Sequence, residues 1–332
     1  MPATATPSIT FVSPREAEAL AARPDVLALV RFGGRRDAGN GTTPWLDTGL
    51  EPLGEGEAPV QCWRVDGPVR RERRGRFAVH ATRDLALLAT TLSTDGDPAP
   101  AAEAAYAELV ATAEAIGCPH FLRIWQYLPR ITDKFADEDR YKRFCAGRRR
   151  ALEAARRPDS TLPAACLLGD AGDSMLLYAL VAADTPGTQV ENPRQVSAFR
   201  YPPQYGRAAP SFSRALAWHP PGGDPLLYIS GTASVVGHAS VHTETTDQLA
   251  ETLRNLEALL EEGRRRGGPD ATGLASIAPL KVYVRRREDF PAVRAGLAER
   301  LPADHPVVYL RADVCRPELM VEIEGIASGP SH

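Results

Sequence analysis

Apolar and polar positions along this chain fall into an order of periods that occurs twice. In the first half, Val26-Leu-Ala-Leu-Val-Arg-Phe32 reads as a strand closed by the turn signals Gly33-Gly and Asn40-Gly. Val60–Val65, Phe77–His80 and Leu85–Ala89 continue the strand pattern. Helical spacing begins at Ala101, recurs through Ala105, Leu109, Ala113 and Ile116, and stops at Gly117. Phe121-Leu-Arg-Ile-Trp-Gln-Tyr-Leu128 is a strand, and Asp139 to Ala155 is a basic amphipathic helix. Ala165–Gly169 and Met175–Ala182 read as two strands joined by a tight turn at Gly172-Asp173.

The second half repeats that order. Leu226–Ile229 is a strand, and Asp247 to Glu262 is a helix with Leu249, Leu253, Leu256, Leu259 and Leu260 on one face. Pro279–Val284 is a strand, Phe290 to Leu301 a helix, and Pro306–Leu310 and Met320–Glu324 the closing strands. The repeated order predicts two α+β domains of one construction, residues 1–185 and 186–332.

In the last strand, Val321-Glu-Ile-Glu-Gly325, two carboxylates sit among apolar residues, and a period of two turns Glu322 and Glu324 to one face. Two readings are open. The strand is a terminal edge with a wet face, or the carboxylates include a general acid/base at the mouth of a pocket.

Composition narrows the class of function. A formal charge of −3 over 332 residues offers no basic field for nucleic acid or an anionic membrane. No apolar run approaches the length of a membrane span, and the N-terminus lacks a signal-peptide pattern, so a cytoplasmic location is expected. Five scattered cysteines without Cys-x-x-Cys spacing read as reduced thiols rather than a disulfide frame or a zinc site. Neither a phosphate-binding Gly-x-x-x-x-Gly-Lys loop, nor a Gly-x-Gly-x-x-Gly turn after a strand, nor a Gly-x-Ser-x-Gly elbow occurs. His238 and His242 stand four apart without a glutamate or third ligand beside them, which favours loop capping over zinc. Neither a cofactor nor a metal is expected.

Arginine and tyrosine gather in the Pro-rich connector 191–214, with Tyr201, Tyr205, Arg200, Arg207 and Arg214. Guanidinium forks suit carboxylates and phenols supply neutral donors, so the segment is either an anion-binding loop or an ordered linker. Arg148 belongs to a helix whose other arginines read as solvated. The small residues after the strand at 226, Ser230-Gly-Thr-Ala-Ser234, would let a ligand or backbone approach closely.

Taken in order, Arg123-Ile-Trp-Gln-Tyr127, Arg143-Phe-Cys-Ala-Gly-Arg148, Glu191-Asn-Pro193, Tyr201-Pro and Tyr205-Gly206 resemble the chorismatase family. So do Leu227-Tyr-Ile-Ser-Gly-Thr-Ala233, Gly237-His238, the run Leu280 to Asp289, and Leu319-Met-Val-Glu-Ile-Glu-Gly325. The match runs from about residue 120 to the C-terminus and is loose before that.

The resemblance implies duplicated YjgF/RidA-like (chorismate-mutase-like) domains with mixed sheets and helices packed on one face. It implies cleavage of chorismate to pyruvate and a cyclic acid, with Glu322 as the acid/base. Arg148, Tyr201, Tyr205, Arg214 and Gly231 are the expected substrate-binding positions, and Cys315 is the second catalytic candidate, bordering the ring to assist rearomatisation or exclude water, with a space-filling buried thiol as the alternative. The arginine with which YjgF-like deaminases grip a small acid has no counterpart, Val308 or Tyr309 lying nearest, which argues against imine deamination. Hydrolytic members carry Ala at the positions of Gly231 and Cys315, so the resemblance points to 3-hydroxybenzoate. The alternatives are 3,4-dihydroxycyclohexa-1,5-dienoate, 4-hydroxybenzoate, and a non-catalytic metabolite-binding protein. Chorismate is the expected small-molecule partner, with no nucleic acid or membrane; monomer and homo-oligomer both stay open.

Overall fold

A computed structural model describes residues 6–202 and 206–329. The chain opens with β1 (Ser8–Val12), helix α1 (Pro14–Leu20), β2 (Val26–Arg31), β3 (Trp45–Asp47), β4 (Glu51–Leu53) and β5 (Val60–Arg64). Ser13 starts α1, its hydroxyl accepting from the Glu16 N–H at 3.2 Å with Pro14 at the first position. The next stretch comprises β6 (Arg70–Arg74), β7 (Phe77–Ala81), β8 (Leu85–Ser93), α2 (Pro98–Ala115) and β9 (His120–Tyr127). A small hairpin, β10 (Lys134–Phe135) and β11 (Glu138–Asp139), leads into α3 (Arg140–Ala154), β12 (Ala164–Leu168) and β13 (Ser174–Ala182). The second half holds β14 (Thr188–Val190), β15 (Ala215–Trp218), β16 (Leu226–Ala233) and a hairpin of β17 (Val235–Val236) and β18 (Ala239–Ser240). It closes with α4 (Thr245–Arg265), β19 (Ile277–Val284), α5 (Phe290–Ala298), β20 (Val307–Arg311) and β21 (Val321–Ser328).

The duplication legible in the sequence is present in the sheets. One is ordered β12-β9-β13-β8-β7-β6, the other β4-β20-β19-β21-β16-β15-β14. Position for position they match, with β4 added at one edge of the second. Both contain the same parallel pair, β9 with β12 and β19 with β20, beside the same antiparallel pair, β9 with β13 and β19 with β21. Strands β12 and β13 therefore are not the hairpin expected from their tight turn, because β9 lies between them. A third sheet, β1-β5-β2-β3, comes from the first 64 residues.

Helices α2 and α3 cover one face of the six-stranded sheet, and α4 and α5 one face of the seven-stranded sheet. The opposite faces of all three sheets meet in a single core, where Trp63, Trp125, Tyr178, Tyr228 and Tyr283 are buried. This is the expected α+β arrangement, and it decides the fate of the last strand. β21 lies in the middle of its sheet, so the edge-strand reading fails. Its Val321, Ile323 and Ala327 face the α4 side, while Glu322, Glu324 and Ile326 point toward the other sheets. Among the described residues no helix is long and apolar enough to cross a membrane.

Candidate active site

The two large sheets are stitched together along β12. Ala165 N–H donates to Ser230 Oγ (2.8 Å), whose hydroxyl donates to Ser213 O (2.6 Å), and Ser213 N–H donates to Pro163 O (2.9 Å). Gly169 and Asp313 exchange backbone hydrogen bonds of 2.8 and 2.7 Å farther along. A cavity of about 290 Å³ opens on this seam, lined from both halves of the chain by Glu322, Gly231, Cys315, Arg148, Tyr201 and Arg214 among others. The structure thus brings together six of the seven positions expected from sequence. The seventh, Tyr205, lies outside the described residues.

Glu322 and Glu324 share a face of β21 but not an environment. Glu324 is 2 % exposed and receives four donors: Tyr283 OH (2.7 Å), Trp125 Nε1 (3.1 Å), Lys281 Nζ (3.1 Å) and Arg123 Nη2. Burial alone would push its pKa up; Lys281, Arg123 and the Tyr283 hydroxyl together bring it below the ordinary carboxylate value. Glu322 is 6 % exposed and faces the cavity, and no described residue hydrogen-bonds its carboxyl group. Desolvation, then the Glu324 charge, raise its pKa to about 8 against the pull of Arg123, Arg214 and Arg285. Two carboxylates two residues apart are therefore held in opposite protonation states at neutral pH, one a fixed charge and one a carboxylic acid.

Such an acid costs stability. It is neutral in both folded and unfolded chains below its ordinary value of 4.5, and the cost grows as pH rises from there toward 8. At pH 8 the cost is on the order of a few kcal/mol. Glu322→Gln should accordingly raise the melting temperature clearly at pH 8 and little at pH 5; equal shifts at both pH values would contradict the assignment.

The bare backbone of Gly231 makes room for this acid. The β16–β21 register slips between Ile229 and Thr232, and Ser230-Gly231 occupy the irregularity. A β-carbon on Gly231 would overlap Glu322 Oε1 and lie 2.6 Å from its Cδ. Beside it, burial pushes the Cys315 thiol up to about 12, and the nearby Glu322 adds to the rise. Cys315 is thus a neutral thiol at physiological pH, unfit to act as a thiolate.

Cationic groups line the rest of the cavity. Arg148, unlike Arg149 and Arg150, is only 2 % exposed, because Gly147 lets α3 lie against the Ala99 backbone of α2. Its guanidinium meets Gln126 Oε1 (3.3 Å) and Cys145 Sγ (3.5 Å), with no hydrogen bond at Nε and no acidic partner among the described residues. By contrast Arg149 pairs with Glu153 and Asp159, and Arg150 with Glu103, on the outer surface. Arg214 donates to Tyr201 OH (2.5 Å) and Val196 O (2.9 Å) and lies between the Tyr201 and Phe212 rings, 5.4 Å from each. Arg316 also lies over the Tyr201 ring, 5.3 Å from its centre, and donates to His238 O and Ser240 Oγ. The connector arginines Arg200 and Arg207 do not reach the cavity; Arg207 pairs with Asp137 on the surface.

Gln126, Tyr141, Lys142 and Arg316 also line the site and escaped the sequence reading. A glutamine inside the apolar strand Phe121–Leu128 was the available signal for Gln126, which holds Arg148 while accepting from Tyr106 OH (2.6 Å). With Glu322 protonated, the cations Arg148, Arg214, Arg316 and Lys142 outnumber Asp139 and Glu318 by two. The cavity suits a small dianion that requires a proton.

Residues 61–181 match the family model described as "Chorismatase FkbO/Hyg5-like, N-terminal". A protein named chorismatase from Streptomyces rapamycinicus is 35 % identical over 82 % of this chain and 84 % of its own length. A 3-hydroxybenzoate synthase from Streptomyces hygroscopicus is 33 % identical over 80 % of this chain and 81 % of its own. The crystal structure of a chorismatase superposes with a TM-score of 0.90 at 30 % identity, covering 99 % of this chain and all of that one. On sequence, fold and coverage together, the chain belongs to the chorismatase family.

Proposed function

We propose that this protein cleaves chorismate to pyruvate and 3-hydroxybenzoate, with Glu322 as the shuttling acid/base. The observation that carries the reading is a buried carboxyl group, its pKa raised by desolvation, facing a cavity whose four cations outnumber Asp139 and Glu318. Chorismate is a ring ether with two carboxylates, and it contains the atoms of pyruvate plus hydroxybenzoate, so no water or redox partner is consumed. Arg148, and Arg214 and Arg316 about the Tyr201 ring, supply partners for the two carboxylates. Tyr205 belongs to the same proposed binding set.

Proton delivery from Glu322 to the enolpyruvyl methylene makes that group a good leaving group. The C4 hydroxyl oxygen then displaces it at C3, releasing pyruvate and forming an arene oxide, while the hydroxyl proton returns to Glu322. Cleavage of the C4–O bond as Glu322 protonates the oxygen, followed by loss of the C3 proton, leaves the oxygen on C3 and gives 3-hydroxybenzoate. Cys315, held neutral, walls the ring from water. The proposed division at residues 185 and 186 is compatible with this scheme, both halves of the chain contributing residues to the cavity lining.

A relative named 3-hydroxybenzoate synthase and the pair Gly231 and Cys315 favour this product over the hydrolytic one. Gly231→Ala would displace the Glu322 carboxyl group from its present seat. That variant should lose 3-hydroxybenzoate output at least tenfold, in keeping with the sensitivity of proton transfer to ~1 Å displacements; an unchanged product yield would refute the seat. For the parent, incubation with chorismate and chromatography should show pyruvate and 3-hydroxybenzoate in equal amounts. A dihydroxycyclohexadienoate or 4-hydroxybenzoate product would move the protein to another subgroup. Binding of chorismate without pyruvate release would make it a non-catalytic binding protein.

A further inference from the structure

Behind the cavity wall lies a second charged cluster that the reaction scheme does not use. Arg123 (β9), Lys281 (β19) and Glu324 (β21) are each at most 2 % exposed and packed around Trp125, Tyr178 and Tyr283. Arg123 and Lys281 stand 5.0 and 5.1 Å from the Trp125 ring, which itself stacks on Tyr178 at 4.7 Å. Burying three charges in an aromatic core is costly, and an apolar trio of similar volume would serve packing at least as well. The cluster's position suggests what it does instead. Tyr283 is the register partner of Glu322, and Lys281 that of Glu324, so the cluster begins one step along the same strand face as the acid.

We propose that Glu324 is a positioning residue whose fixed negative charge, one step along the same strand face, adds to the effect of burial in holding the proton on Glu322, and that Arg123 and Lys281 offset that charge and so set its strength. The proposal depends on the reading of Glu322 as the acid of the reaction. A fixed charge about 7 Å along a strand is felt in a dry interior, whereas across water it would be screened. The other groups bearing on Glu322 stay constant in any test of the cluster. Arg214 precedes β15 and Arg285 follows β19, both favouring ionisation. Cys166 on β12 and Cys315 before β21 are neutral thiols. Across the cavity stand Arg148, Tyr141 and Lys142 of α3, Asp139 at its start, and Arg316 and Glu318 of the loop before β21.

The test is the pH dependence of kcat/KM for pyruvate release in four proteins: parent, Glu324→Gln, Lys281→Met and the double variant. Glu324→Gln leaves the cluster with one more positive charge, and the alkaline limb should move down by about one pH unit. Lys281→Met removes a positive charge, and the limb should move up by a similar amount. The double variant restores the parent's net charge, since Arg123 stays ionised throughout, and its limb should return close to the parent's. Rates that fall in the single variants with limbs unmoved would overturn the proposal and leave the cluster a packing element. If Glu324→Gln fails to fold, the limb of Lys281→Met decides alone: a rise supports the proposal and an unmoved limb rejects it. Glu322→Gln in the same assay separates the two readings, because a parental rate and limb there would refute Glu322 itself.

Discussion

Glu322→Gln should release pyruvate from chorismate ~10²–10⁴-fold more slowly than the parent, with little change in KM. Glutamine keeps the shape of the side chain but has no proton to give. Binding should survive, because no described residue hydrogen-bonds the Glu322 carboxyl group and the anion partners are elsewhere in the cavity. The parent's pH profile carries the same signature. Its acid is present below about pH 8 and is lost as pH rises through that value, so kcat/KM should fall on the alkaline side. The residual rate of the glutamine variant should lack that limb. A variant with parental kcat would show that another group delivers the proton.

Arg148→Ala should weaken chorismate binding by ~2–5 kcal/mol, the cost of leaving a desolvated carboxylate without its partner. Titration calorimetry in the Glu322→Gln background measures this without turnover. Arg149, one residue along α3, provides the comparison. It spends its charge on Glu153 and Asp159 at the surface, so Arg149→Ala should change affinity by at most about 1 kcal/mol. Arg148→Lys should recover only part of the loss, since an ammonium cannot reproduce a planar fork. Equal affinities for Arg148→Ala and Arg149→Ala would remove Arg148 from the site.

The sequence carried the repeat because periodicity survives duplication even when identity does not. The leucine stripe of α4 and the shared face of Glu322 and Glu324 follow from local geometry alone. Pairing was less accessible. The tight turn before β13 looks like a hairpin turn, yet the strands it joins straddle β9, a choice made by the whole sheet rather than by the turn. Arg148 was hidden for a similar reason. Nothing local separates it from Arg149; only the close approach of α2 at Gly147 turns one inward and leaves the other in water. β1 and α1 went unread, although Ser13 and Pro14 mark the helix start. Arg316 gave no period at all, since it sits in a loop and is placed by Tyr201 and the β17–β18 hairpin.

The central physical claim is that one buried carboxyl group keeps its proton at neutral pH while its neighbour on the same strand has lost its own. Infrared difference spectra of parent minus Glu322→Gln, taken across a pH series, observe that proton directly. The account predicts a protonated carboxyl band at neutral pH that disappears as pH passes about 8. A difference spectrum showing only an ionised carboxylate from pH 6 upward would contradict it.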